Sequence, residues 1–220
     1  MGDWTDLDTP HGRVRAWHAV PTDRRLGAVV LVQEIFGVNA HIRDVAGRFA
    51  AEGFEVLAPS VCDPVEPGVE LDYDAAGVAR GRVGVAALGF DRAVDIVGAA
   101  AGRLSAAGSK VAAVGFCWGG TVAYLADTRL GLPAVSYYGG RTVPFLDETP
   151  RAPLLLHFGR HDPIIPPDDV ERHRERLAAA ELHIYDAGHG FNCDRRPDYD
   201  AAAADLAWSR TVRFLREALA

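Results

Sequence analysis

Three side chains suited to acyl transfer stand far apart in this chain. A cysteine sits in Gly115-Phe116-Cys117-Trp118-Gly119-Gly120, an aspartate in Gly159-Arg160-His161-Asp162-Pro163, and a histidine in Gly188-His189-Gly190-Phe191. A thiolate attacks a carbonyl, an imidazole manages the protons, and a carboxylate holds the imidazole in one tautomer and stabilises its cation. The cysteine carries the most local information. The apolar run Lys110 to Val114 before it reads as a buried strand, and Gly120 to Ala126 after it reads as a helix. A strand turning into a helix on G-x-C-x-G is a nucleophile elbow with Cys in the usual place of Ser. The flanking glycines admit the strained turn, and the helix N-terminus favours a thiolate and a developing oxyanion.

Each residue also has a plain structural reading. A free Cys is often a small buried hydrophobe, Asp before Pro is a common turn residue, and most single histidines have no chemistry. Asp186 is a second possible acid, but it lies only three residues before His189 and is badly placed to receive the ring nitrogen. His157 and His161 are four apart across a strand-to-loop junction, so they do not share a helix face as a metal pair would. Order separates the readings. Cys117, then Asp162, then His189 is the nucleophile–acid–base order of α/β-hydrolases. Glu34 is a fourth candidate, because an acid ending an apolar strand is either hydrogen-bonded or functional. The N–H groups of Ile35 and Trp118 are the oxyanion-hole candidates.

The elements that must position these residues alternate. Apolar runs at Ala28–Val32, Phe54–Pro59, Lys110–Val114, Pro133–Tyr138, Pro153–Gly159 and Glu181–Tyr185 read as strands. Helices are expected at His41–Glu52, Val83–Leu104, after Cys117, at Pro167–Ala180 and at Ala201–Ala218. An N-terminal hairpin is expected from Trp4–Leu7 and Val14–Val20, and residues 60–75 and 141–150 read as loops. The pattern predicts an α/β fold: a mostly parallel central sheet with helices on both faces, in a single domain over 1–220. Every motif falls at the carboxyl end of a strand, where ligands bind in such sheets.

Composition narrows the function. The chain has 220 residues, 49% of them hydrophobic, and a net charge of −7 with scattered basic residues. A globular domain is expected, and a nucleic-acid surface is not. Three cysteines, Cys62, Cys117 and Cys193, lack disulfide or zinc-type spacing. Without a signal-like N-terminus or a bilayer-length apolar run, a reducing cytoplasm and no membrane partner are expected. No cofactor or metal is expected. The oligomeric state is not legible, and a monomer is the expectation.

With these residues in view, the chain resembles the dienelactone hydrolase (carboxymethylenebutenolidase) family. Gln33-Glu34-Ile35-Phe36-Gly37, Gly115 to Gly120, Gly159 to Pro163 and Gly188 to Phe191 match in order and spacing over almost the whole length. The resemblance implies a Cys117–His189–Asp162 triad that opens a lactone or activated ester through a thioester. It also implies a neutral resting thiol hydrogen-bonded to Glu34, with substrate displacing the glutamate. The family's substrate-carboxylate arginines are not both matched: the position four after the histidine is Cys193. Arg80, Arg82 and Arg195, with its neighbour Arg196, are the substitutes. A general carboxylesterase or thioesterase, or a silent ligand-binding relative, are the alternative readings.

Overall fold

The computed structural model describes residues 2–220. Eight strands form one sheet: β1 (Gly2–Thr9), β2 (Gly12–Ala19), β3 (Gly27–Val32), β4 (Phe54–Pro59), β5 (Val111–Phe116), β6 (Ala134–Tyr137), β7 (Leu154–Gly159) and β8 (Glu181–Tyr185). Their spatial order is β1-β2-β4-β3-β5-β6-β7-β8. The first two strands form the expected hairpin, with Gly2 opposite Ala19 and Thr9 opposite Gly12, and β2 joins β4 antiparallel. From β4 to β8 every pairing is parallel. The central strands β3, β4, β5 and β7 are buried throughout, as continuous apolar runs require.

Six helices cover both faces: α1 (Ala40–Ala51), α2 (Ala75–Leu88), α3 (Phe90–Ala106), α4 (Trp118–Leu130), α5 (Pro167–Arg176) and α6 (Ala201–Ala218). The Asn39, Asp74 and Asp200 side chains cap α1, α2 and α6 by accepting the N–H of the third following residue. Phe49 of α1 meets Trp208 of α6 at 4.4 Å between centroids. Among the described residues, no helix is long and apolar enough to cross a membrane.

The single helix expected over Val83–Leu104 is two helices. They break at Gly89, whose φ of 77° lies outside the helical region. The first begins at Ala75, inside the stretch expected to be loop. Its buried face is Gly77, Gly81, Val85 and Leu88, a helical repeat half made of glycine. A hydrophobic period does not register glycine, so the sequence pattern concealed this turn. The glycines seat α2 close: a Cβ on Gly81 would lie 2.4 Å from the Ile35 carbonyl oxygen. The segment expected as loop over 141–150 carries one 3-10 turn at Val143–Phe145.

Buried Asp127 of α4 yields a stability prediction. Its Oδ1 accepts the Arg151 N–H at 2.8 Å, while Oδ2 has no partner. Burial pushes this carboxyl up to about 6, against the pull of the Arg151 and Ala152 N–H groups. A carboxyl whose folded value exceeds its unfolded value supports the fold at low pH. That support is complete below about 4 and is lost as pH rises through about 6. Asp127→Asn should therefore gain on wild type across this window, by on the order of 1–3 kcal/mol. Urea melts at several pH values measure it, and a difference that does not vary with pH would refute the assignment.

Candidate active site

The cysteine stands where β5 passes into α4. Cys117 has φ 54° and ψ −119°, a left-handed conformation that a side chain with a Cβ rarely adopts. Two glycines make the turn possible. A Cβ on Gly115 would lie 1.9 Å from the Gly119 carbonyl oxygen, and one on Gly119 would lie 2.2 Å from that of Gln33. The Cys117 N–H donates to the Tyr137 carbonyl at 2.9 Å, tying the elbow to β6. The side chain therefore stands above the sheet at the positive end of α4.

His189, in the loop after β8, brings Nε2 to 3.1 Å from Cys117 Sγ. Its Nδ1 meets Asp162 Oδ2 at 2.7 Å. The other Asp162 oxygen accepts the N–H groups of Ile164 at 2.8 Å and Ile165 at 3.2 Å, which aims the carboxylate. His189 is buried and lies edge-on to Tyr138 at 5.1 Å. Burial alone would lower its pKa. The neighbouring Cys117 and the Asp162 carboxylate outweigh burial and push the imidazole up to about 10. Asp186, the other possible acid, is exposed and pairs with His161 at 2.7 Å.

Glu34 is buried just beyond β3. Its Oε1 accepts from Arg196 Nη1 at 3.1 Å, and Oε2 has no partner. The resemblance implies a thiol bonded to this glutamate; here the thiol is on the imidazole and the glutamate is on an arginine. Glu34 raises the pKa of the buried Tyr138 phenol further, after burial itself.

A cavity of about 230 Å³ opens beside the thiol. Ile35, Phe36, Val78, Val85, Trp118 and Ile164 supply its apolar wall, and Arg82, Arg141 and Arg196 its cations. Ile35 and Trp118 thus border the space where an oxyanion would form. Trp118 is the first residue of α4, so its N–H has no carbonyl one turn back.

The arginine expectations need correcting. Arg82 lines the cavity, but Arg80 and Arg195 do not. Two residues turn a helix by about 200°, which carries Arg80 away from the Val78–Arg82–Val85 face and onto exposed Glu66. Arg195 pairs with exposed Asp44, while Arg196 turns inward. Arg141 was not anticipated. It follows Gly139-Gly140 directly at the end of β6, and the strand-end rule for parallel sheets is the signal that points to it. The guanidinium groups of Arg82 and Arg141 have no acidic or hydrogen-bonding partner among the described residues.

A doubly wound sheet with a strained elbow and a Cys–His–Asp constellation at its carboxyl edge defines an α/β-hydrolase. Within that class the chain belongs to the dienelactone hydrolase family, whose model matches residues 14–219. An Escherichia coli (strain K12) relative, provisionally named a carboxymethylenebutenolidase, is 34% identical over 99% of this chain and 87% of its own. Carboxymethylenebutenolidase 1 of Cupriavidus pinatubonensis is 30% identical over 93% of this chain and 92% of its own. A solved structure from Klebsiella pneumoniae, provisionally described as a dienelactone hydrolase, superposes with a TM-score of 0.85. It is 29% identical and covers 97% of both chains. The protein is a hydrolase of lactones or esters.

The three thiols differ enough to be told apart. Cys62 and Cys193 are buried, and burial pushes both up to about 11, helped by Asp63 for the first and Glu34 for the second. At pH 7 each is about one part in ten thousand thiolate. Cys117 is partly exposed and paired with imidazole. Iodoacetamide at pH 7 should label Cys117 at least a hundredfold faster than either. Peptide mapping reads the ratio, and equal labelling would show that Cys117 is not activated.

Proposed function

We propose that the chain opens lactones and cleaves activated esters through a Cys117 acyl-enzyme, acting as one domain on a small-molecule substrate. The observation that carries the reading is the unbroken contact from Asp162 through His189 to Cys117, at 2.7 Å and 3.1 Å, beside a cavity of ester size. The Cys117 thiolate attacks the carbonyl carbon, and the carbonyl oxygen becomes an oxyanion. The N–H groups of Ile35 and Trp118 receive that charge. As the C–O bond breaks, the His189 imidazolium gives its proton to the departing oxygen. In a lactone that oxygen stays attached to the acyl chain. Neutral His189 then takes a proton from water, hydroxide attacks the thioester, and the thiolate leaves with the proton back on the imidazole. Asp162 holds the ring throughout.

In this reading Glu34 acts on charge. The buried Glu34 carboxylate is balanced by Arg196 beside the cavity that holds the thiol. Glu34→Gln should leave the fold intact and change the rate of Cys117 alkylation at pH 7; an unchanged rate would make Glu34 purely structural.

Arg82 and Arg141 are the cations free to meet a substrate carboxylate, and a charge-assisted bond contributes about 1.5–3 kcal/mol. The preference for a dienelactone carrying a free carboxylate over its methyl ester should fall about 10- to 100-fold in Arg82→Ala or Arg141→Ala. A preference near unity in wild type would instead favour a general carboxylesterase. The nucleophile is tested by Cys117→Ala, which should reduce kcat by on the order of 10⁶. A variant keeping a tenth of wild-type turnover would sink the mechanism.

A further inference from the structure

Outside the catalytic constellation, the fold brings His41 to two neighbouring side chains, Cys193 and Asp194, far along the chain. His41 is the second residue of α1, and Cys193 and Asp194 lie in the loop that leaves His189. One ligand-type atom from each falls within 4.8 Å of the others. We propose that His41, Cys193 and Asp194 form a zinc site that clamps the His189 loop to the start of α1.

The geometry of His41 is the first argument. Its side chain is only 2% exposed, and its Nδ1 lies 3.4 Å from Asp194 Oδ1. That is long for a hydrogen bond to a carboxylate. It is close to the roughly 3.3 Å separating two ligand atoms on one tetrahedral zinc with bonds of about 2.0–2.1 Å. The other ring nitrogen, Nε2, has no partner at all. The Asp194 contact is thus the imidazole's one polar partner among the described residues; zinc would take Nδ1 and leave Nε2 as it is.

The donor set is the second argument. Imidazole, thiolate and carboxylate are three ligands zinc accepts together, whereas magnesium or calcium would want oxygen alone. Cys193 is free and fully buried, so zinc must displace its proton, which goes to solvent. Bringing its sulfur from within 4.8 Å to the roughly 3.5 Å expected between ligand atoms on zinc takes at most about 1.3 Å of movement. Asp194 is 62% exposed, which leaves an entry path. His41 also borders an open cavity of about 400 Å³, from which a water would reach the fourth position. The one cation at its edge, Arg195, is already engaged by Asp44.

The consequence is mechanical. Cys193 and Asp194 sit between His189 and Arg196 in the chain, and His41 follows the oxyanion turn at Ile35 by six residues. Zinc would tie the loop carrying the imidazole to the element that follows the oxyanion donor. This site does not depend on the hydrolase reading, because it is measured by binding and not by turnover.

The test uses the full chain carrying Cys117→Ala, which removes the other cysteine–histidine pair. Titration with zinc against a colorimetric chelator should give one equivalent bound. Cobalt in its place should show a thiolate charge-transfer band. Adding Cys193→Ser, which is nearly isosteric, should abolish the band and weaken zinc by more than about 100-fold; Asp194→Ala at the exposed ligand should weaken it about tenfold. Zinc should also slow amide exchange across residues 188–196 at least tenfold. Less than half an equivalent bound, or affinity unchanged by Cys193→Ser, would overturn the site. Zinc binding without slower exchange would overturn the clamp.

Discussion

Everything at the site depends on the backbone of one residue. Cys117 sits at a positive φ between two close approaches, Gly115 to the Gly119 carbonyl and Gly119 to the Gln33 carbonyl, neither of which would admit a Cβ. The second approach matters most, since Gln33 belongs to the turn that also bears Glu34 and Ile35. The elbow and the turn at 33–35 are therefore one packed unit. A larger residue at position 119 would push Cys117 and that turn apart. Such strain persists only when its surroundings over-determine it, and here a sheet buried on both faces does so.

The second constraint is charge under cover. Glu34, Tyr138 and His189 are buried at the edge of the cavity that Cys117 and Arg196 line. An isolated carboxylate there would be costly. The Glu34–Arg196 pair offsets that cost, and the thiol faces the imidazole. Arg196 passes close to Gly190, where a Cβ would fall 2.7 Å from its guanidinium. The residue after His189 is glycine on two counts: its φ of 80° and the room Arg196 takes.

The third is the way α2 sits over the cavity. A helix presenting Val78, Arg82 and Val85 to the substrate space must come close to the sheet top, and Gly81 against the Ile35 carbonyl allows it. The same seating presses the helix onto the Ile35 carbonyl, so the face that lines the cavity and the face that supports Ile35 belong to one helix.

The sequence by itself determined a good deal. Alternating apolar runs and helical periods identified the parallel sheet, because buried strands have to be apolar along their whole length. The elbow was legible because only small residues permit its turn, and the order of Cys117, Asp162 and His189 because chain order in this architecture decides which loops meet. Tertiary structure decided the rest. The start of α2 was concealed because its buried face is half glycine. Arg82 rather than Arg80, and Arg196 rather than Arg195, line the cavity; neighbours in sequence point opposite ways, and only packing chooses the face. The partner of Glu34, and the meeting of His41 with Cys193 and Asp194, are contacts across some 150 residues of chain. No local pattern encodes such a contact, since it exists only once the sheet has brought its carboxyl ends together.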